Sequence, residues 1–256
     1  MIKSDLVSII MPTYNRQHVI CEAIESVLAQ TYDNFELIII DDGSTDNTKK
    51  TISDYQKNDR RIKYLTISHS GAPAARNAGI DIAKGKYIAY LDTDNVWYSN
   101  YLEVILGNFS SALVLVYSAQ NLVLTKTLKD HKKIIGRSIR REEYNPSKII
   151  NGNYIDLNSG IHTKSIINKV GIWDSSLKKM SDWDFLARII SHYPYNIKFI
   201  DFVLSEYRYS LNENETITSS YVSSEAILRK FGVTQSWGDR LIIQNRIKKI
   251  LSKPCS

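Results

Sequence analysis

Pairs of carboxylates stand where apolar runs of this sequence end, and each pair has the spacing to do chemistry. Asp92 and Asp94 flank Thr93 in "YIAYLDTDN" (87–95). A hard divalent ion takes oxygen ligands, and Mg²⁺ or Mn²⁺ commonly bridges a carboxylate to phosphates. One acid can then meet a metal while the other meets sugar hydroxyls. A solvated turn that closes a strand uses the same residues. Asp41 and Asp42 follow "LIII" and also carry two readings. They end a strand and cap the next helix, or one of them accepts a hydrogen bond from the imide N–H of a pyrimidine base. Asp182 and Asp184 in "SDWDF" sit at a helix start, where the helix dipole favours negative charge. One of them could instead be a general base that deprotonates an acceptor hydroxyl. Tyr14 is either a surface aromatic or a ring that stacks on a nucleobase. Arg76 is either a solvated helix charge or a contact to the base or phosphates of a ligand.

Other chemistries are poorly supported. His18, His69, His131, His162 and His192 show no H-E-x-x-H or other zinc spacing. Neither G-x-x-x-x-G-K-[ST] nor G-x-G-x-x-G is present, which argues against P-loop and dinucleotide sites. Cys21 and Cys255 are too few and too far apart for a disulfide framework, so a reducing cytoplasm is expected.

The elements that must position these acids alternate over the first 110 residues. "LVSIIMP" (6–12), "FELIIIDDGS" (35–44), "IKYLTIS" (62–68) and "YIAYLD" (87–92) read as buried strands. Between them, residues 17–30, a "TKKTISDYQKN" segment capped by Ser44 or Thr45, and 71–85 entered just after Pro73 read as helices. Near-continuous apolar strands alternating with helices predict a mostly parallel α/β sheet covered on both faces. Ligands then bind beyond the carboxyl ends of the strands, where Asp41–Asp42 and Asp92–Asp94 stand.

Later the rhythm weakens. "ALVLVYSAQNLVLT" (112–125) alternates like a hairpin or a pair of strands, and Lys126, Lys129, Lys132, Lys133, Arg137, Arg140 and Arg141 mark an exposed loop or ribbon. "SDWDFLARIISHY" (181–193) is an amphipathic helix. The tail sets Arg240, Arg246, Lys248, Lys249 and Lys253 beside Leu241, Ile242, Ile247, Ile250 and Leu251. Such a helix lies on an anionic bilayer, or packs on its own domain or a dimer partner. The chain of 256 residues is 43% hydrophobic and 23% charged, with net charge +6. That suits a globular domain with anionic partners. Basic runs without interleaved aromatics do not suggest nucleic acid. No stretch approaches the ~20 apolar residues of a membrane span. The expectation is a soluble or peripheral protein.

As an ordered set, "VSIIMPTYNR", "AIESVLAQTYDNFELIIIDDGSTDNT", "GAPAARNAGI", "GKYIAYLDTDN" and "KVGIWDSSL…SDWDFLARI" resemble the family 2 glycosyltransferases, of the GT-A nucleotide-diphospho-sugar transferase fold. The resemblance runs from about residue 7 to 208 and is similar to short bacterial members such as the spore-coat polysaccharide enzyme. It implies a GT-A domain over 1–220, with a nucleotide-sugar half (1–110), an acceptor half (111–220) and a basic helical extension (221–256). Pro12, Thr13 and Tyr14 would line the base pocket, and Asp42 would accept from the base imide. Arg76 would contact the nucleotide, Asp92 and Thr93 would stand at the ribose or donor sugar, and Asp94 would bind Mn²⁺ or Mg²⁺. Asp182 matches the catalytic base, and Asp184 a structural or acceptor-facing acid. The implied reaction is a single inverting transfer from a nucleotide-sugar, a UDP-sugar first, to a saccharide or lipid-linked acceptor in surface-glycan synthesis or protein glycan extension. The setting would be the cytoplasm or the inner face of the plasma membrane.

Some positions depart from the family pattern. Ser181 replaces a common glutamate, and Ser210 stands where many members have a histidine near the metal. The alternative they raise is a catalytically impaired sugar-nucleotide-binding subunit or scaffold. The Q-x-x-R-W motif of processive members is absent, which favours transfer of one sugar at a time.

Overall fold

Successive residues of the first strands belong to two different cores. Val7, Ile9 and Met11 pack into one, and Ile10 into the other; Leu37 and Ile39 separate from Ile38 and Ile40 in the same way. Both faces of the sheet are therefore buried, which is why these strands carry almost no polar residues. In this computed structural model, residues 5–128, 131–177, 179–210 and 237–252 are described.

The first half runs β1 (Val7–Thr13), α1 (Ile20–Leu28), β2 (Phe35–Asp41), α2 (Thr48–Asn58), β3 (Ile62–Thr66), α3 (Ala72–Ile82) and β4 (Tyr87–Tyr90). Short β5 (Val96–Trp97) and α4 (Tyr101–Gly107) follow. Strands β3, β2, β1 and β4 lie side by side and parallel, with Thr13 paired to Asp41 and Ile10 to Tyr90. Their order reverses direction between β1 and β4, and at such a switch point a crevice opens beyond the strand ends. Residues of α1, α2 and α4 join the Ile9 core, while α3 contributes Ala75 and Ile80 to the Ile10 core. Gly85 lets the chain re-enter the sheet: a Cβ there would sit 2.5 Å from the Ser8 nitrogen and 2.7 Å from the Leu6 carbonyl oxygen.

One boundary signal is corrected. Neither Ser44 nor Thr45 caps α2; Asp46 Oδ1 accepts from the Thr48 N–H at 2.9 Å. Ser44 Oγ instead accepts from the Asn15 N–H at 2.9 Å, tying the loop after β1 to the loop after β2.

The second half is mixed rather than parallel. It contains β6 (Leu115–Leu128), β7 (His131–Arg140), β8 (Gly160–Thr163), α5 (Ile167–Val170), α6 (Ser181–His192), β9 (Ile197–Ser210) and α7 (Trp237–Leu251). Strand β8 is antiparallel to β4 and β6, β9 is parallel to β6, and β5 returns antiparallel to β9. Residues 115–128 form one long strand, not two. Its hairpin partner is the basic stretch itself, as β7, with Lys129 outside the described residues. Burial along it is nearly continuous rather than alternating, with Leu122, Val123 and Leu124 all buried between neighbouring strands.

The last helix packs on protein. Ile243 and Ile247 are buried in the core that holds Trp183 and Phe185, and Gln244 Nε2 donates to the Ile150 carbonyl at 3.3 Å. This corrects the bilayer reading for the Ile247 face; Ile242, Lys248 and Lys249 remain exposed. The side chains of Arg240 and Leu241, all of Lys253 and the expected boundary near 220 lie outside the described residues. Among the described residues no helix is long and apolar enough to cross a membrane.

Candidate active site

At the carboxyl end of β2 the adjacent acids part company. Gly43, at φ +81, turns the chain where a side chain would be strained. Asp41 faces inward, with Oδ1 accepting from the Ser44 N–H at 2.8 Å and Oδ2 from the Tyr64 hydroxyl at 2.7 Å. Asp42 faces the crevice. Its Oδ1 accepts from the Ser70 N–H at 2.7 Å and its Oδ2 from the Gly71 N–H at 2.8 Å, so the carboxylate sits at the N-terminal end of α3, on the two residues that lead into it. Oδ1 keeps a further lone pair for a ligand donor, whereas Oδ2 also has His69 beside it.

Beside Asp42, the exposed ring of Tyr14 stacks on His69, centroids 4.1 Å apart at 24°. His69 Nδ1 lies 2.9 Å from Asp42 Oδ2. The expected base-stacking ring thus already carries a planar partner, 55 residues away in the chain. Asn15, at φ 52, holds this corner by accepting from the Thr45 N–H at 2.8 Å. Pro12 and Thr13 are buried at the end of β1, and Thr13 Oγ1 has no hydrogen-bond partner among the described residues.

The Asp92–Asp94 turn follows β4. Asp92 Oδ1 accepts from Arg76 Nη2 at 2.6 Å, and Arg76 lies over the Trp173 ring at 4.6 Å. Burial alone would lower the Arg76 pKa; the charge and hydrogen bond of Asp92, together with the charge of Asp182, offset it and leave the pKa raised. Thr93 is buried, whereas Asp94 lines a shallow cleft with Val19, Glu22, Asn95 and Arg208. Among the described residues no three His, Cys, Asp or Glu side chains converge as a metal site. A Mg²⁺-type ion that shares a diphosphate needs only one or two protein carboxylates, so Asp94 fits that role while Asp92 is held by Arg76. Ser210 is buried at the end of β9, in register with Thr125.

Asp182 is the second residue of α6, after Ser181 and after Met180 in a left-handed conformation at φ 58. Its carboxyl pKa is raised, chiefly by burial; the Trp183 N–H and the Arg76 charge oppose this, and the charge of Asp156 adds to it. A raised carboxylate is a stronger base. Asp184 points away from the crevice: it is fully buried, with Arg188 Nε at 3.0 Å and Arg246 Nε at 2.6 Å.

One segment spans both ends of the crevice. Asn153 Nδ2 donates to Asp182 Oδ2 at 2.7 Å. Asn158 accepts from the Asp92 N–H at 2.7 Å and donates to Asp92 Oδ2 at 3.1 Å. Sequence reading passed over these residues; their only signal is the recurrence of Asn153, Asp156 and Asn158 among apolar Ile155 and Leu157.

The sequence model described as "Glycosyl transferase family 2" matches residues 8–169. The chain belongs to this family. Its GT-A fold is that of the S. aureus TarS 1–349 structure in complex with UDP-GlcNAc, with TM-score 0.62, 20% identity, and coverage of 96% of this chain and 70% of that one. The mannosyltransferase PcManGT of Pyrobaculum calidifontis, in complex with GDP-Man and Mn²⁺, matches with TM-score 0.60 and 13% identity, over 96% of this family 2 chain and 69% of its own. The Escherichia coli β-1,3-glucosyltransferase WfgD, whose name gives UDP-Glc and α-D-GlcNAc-diphosphoundecaprenol, is 49% identical over 100 residues, 39% of each chain. This chain therefore spans well under two thirds of that relative's length.

Proposed function

We propose that this chain is an inverting, metal-dependent glycosyltransferase that moves one sugar from a UDP-sugar to a hydroxyl of a saccharide or lipid-linked acceptor. The observation that carries this reading is that one segment ties Asp182 through Asn153 and Asp92 through Asn158, with the charges of both acids acting on Arg76. Relatives named for UDP-Glc and UDP-GlcNAc favour uridine, and a diphosphoundecaprenol substrate in WfgD's name favours a lipid-linked acceptor.

In this reading Tyr14, Thr13 and Asp42 hold the base, with His69 moving off the Tyr14 face or sandwiching the base against it. Arg76 and Asp92 orient the ribose and donor sugar. Asp94 would hold Mn²⁺ or Mg²⁺, which when bound supplies Lewis-acid neutralisation of the diphosphate. Asp182 takes the acceptor hydroxyl proton as that oxygen bonds to the anomeric carbon; the bond to the diphosphate oxygen breaks, and nucleoside diphosphate leaves. Positioning the acceptor oxygen opposite the leaving group supplies much of the remaining acceleration. We place the reaction at the cytoplasmic face of the membrane, where a lipid-linked acceptor would present its sugar.

Thermal melts with UDP, GDP and TDP, each with and without Mn²⁺, test the donor assignment. Ligand that binds only the folded state raises the melting temperature. UDP with Mn²⁺ is expected to give the largest shift, and a larger shift with GDP or TDP would overturn the uridine assignment.

A further inference from the structure

Between the two contacts of the Asn153–Asn158 segment lies a carboxylate that neither the donor corner nor the base employs. The Asp156 side chain is only 10% exposed. Its Oδ1 accepts from the Asn158 N–H and from Asn158 Nδ2, each at 2.9 Å. Its Oδ2 is buried and receives no hydrogen bond among the described residues. Arg140 Nη1 stands 3.7 Å from it, beyond hydrogen-bonding reach.

Arg140 is loosely held as well. Its guanidinium reaches Gln120 Oε1 and the Tyr209 hydroxyl at 3.4 Å each, the long limit of such bonds, and lies 5.4 Å from the centre of the Tyr207 ring. The rings of Tyr207 and Tyr209 stand 4.7 Å apart beside it. A buried carboxylate oxygen and a guanidinium that are paired by charge but not hydrogen-bonded to one another suit a guest that donates to one and accepts from the other. A sugar hydroxyl does both, and the C–H face of a pyranose suits a tyrosine ring. A net charge of either sign on the guest would meet repulsion from Asp156 or from Arg140. The attacking hydroxyl must reach Asp182, which Asn153 of the same segment holds.

We propose that Asp156, Arg140 and Gln120 form an acceptor-sugar subsite, in which Asp156 Oδ2 accepts a hydrogen bond from a second hydroxyl of the ring whose other hydroxyl meets Asp182. This rests on the transferase reading above. The subsite selects acceptors by the position of a hydroxyl next to the one that is glycosylated, and it leaves the donor untouched.

The test uses the full chain saturated with UDP and Mn²⁺, titrated with octyl β-glycosides of glucose, galactose, N-acetylglucosamine and N-acetylgalactosamine and read by saturation-transfer NMR. At least one glycoside is expected to bind. Asp156→Asn, which keeps the turn-capping oxygen, should weaken that glycoside at least tenfold while UDP affinity stays within twofold. Arg140→Lys and Gln120→Ala lie outside the capping turn; they should weaken it threefold or more, and they carry the test if Asp156→Asn unfolds. The proposal is overturned if no glycoside binds the wild type, if the variants bind it as tightly, or if they lose UDP in parallel. Failure of the wild type to bind UDP or any UDP-sugar would instead overturn the transferase reading.

Discussion

Arg246 on the last helix donates to Asp184 Oδ1 at 2.6 Å, and Asp184 shares the first turn of α6 with Asp182. The same guanidinium reaches Asp174 Oδ2 at 2.5 Å. The C-terminal helix is thereby fastened to the element that carries the proposed base. Removing one partner of a buried charge costs several kcal/mol. Arg246→Met should therefore destabilise the fold by about 2–4 kcal/mol, less than a full break because Arg188 stays on Asp184. Chemical denaturation reads the loss, and hydrogen exchange should localise it to α6 and α7; protection unchanged in α6 would count against the fastening.

Asp182→Asn removes the proposed base while keeping its shape. Transfer should fall about 10²–10⁴-fold with UDP affinity unchanged, as expected for lost general-base catalysis. Because burial raises the Asp182 pKa, the folded state disfavours its charged form, so the neutral variant should also melt at a higher temperature. In the wild type, the acidic limb of the pH–rate profile should lie above the ordinary aspartate range.

His162 sets a different pH dependence. It is buried, with Nε2 3.1 Å from the Tyr90 hydroxyl and Nδ1 2.9 Å from the Thr163 carbonyl. Burial pulls its pKa down to about 4 from 6.5. The unfolded chain binds this proton first as pH falls, so stability drops between about pH 6.5 and 4, by about 3 kcal/mol in all. His162→Gln should flatten that slope in pH-dependent urea melts.

Gly85→Ala places a methyl against the backbone of β1, 2.5 Å from the Ser8 nitrogen. Neither chain can yield without breaking sheet pairing, so a loss of about 1–3 kcal/mol or more is expected from overpacking. A melting temperature equal to wild type would show that β1 has slack there.

The legible parts of this chain were those written locally. The strands up to Tyr90 announce themselves by apolar runs, and the candidate acids Asp42, Asp92, Asp94 and Asp182 stand at strand or helix ends marked by those runs. What stayed hidden depends on partners far away in sequence. Asn153 and Asn158 become site residues only because Asp182 and Asp92 lie across from them, and nothing in "NYIDLNS" states that pairing. Likewise His69 joins the Asp42 corner by stacking on Tyr14, and the tail's apolar face reads equally as lipid-facing until Ile243 and Ile247 are seen in the core that holds Trp183. Strand β7 was obscured because its lysines and arginines belong to an exposed hairpin edge, where polarity gives no period to read.

The most direct measurement is release of UDP from UDP-glucose, UDP-galactose, UDP-N-acetylglucosamine and UDP-N-acetylgalactosamine, in Mn²⁺, by wild type and Asp94→Ala. The account predicts turnover of at least one donor by the wild type, abolished by EDTA, restored by Mn²⁺ and reduced at least a hundredfold in Asp94→Ala. Turnover that survives both EDTA and Asp94→Ala would contradict the donor corner drawn here, and no turnover of any donor by the wild type would contradict the UDP-sugar assignment itself.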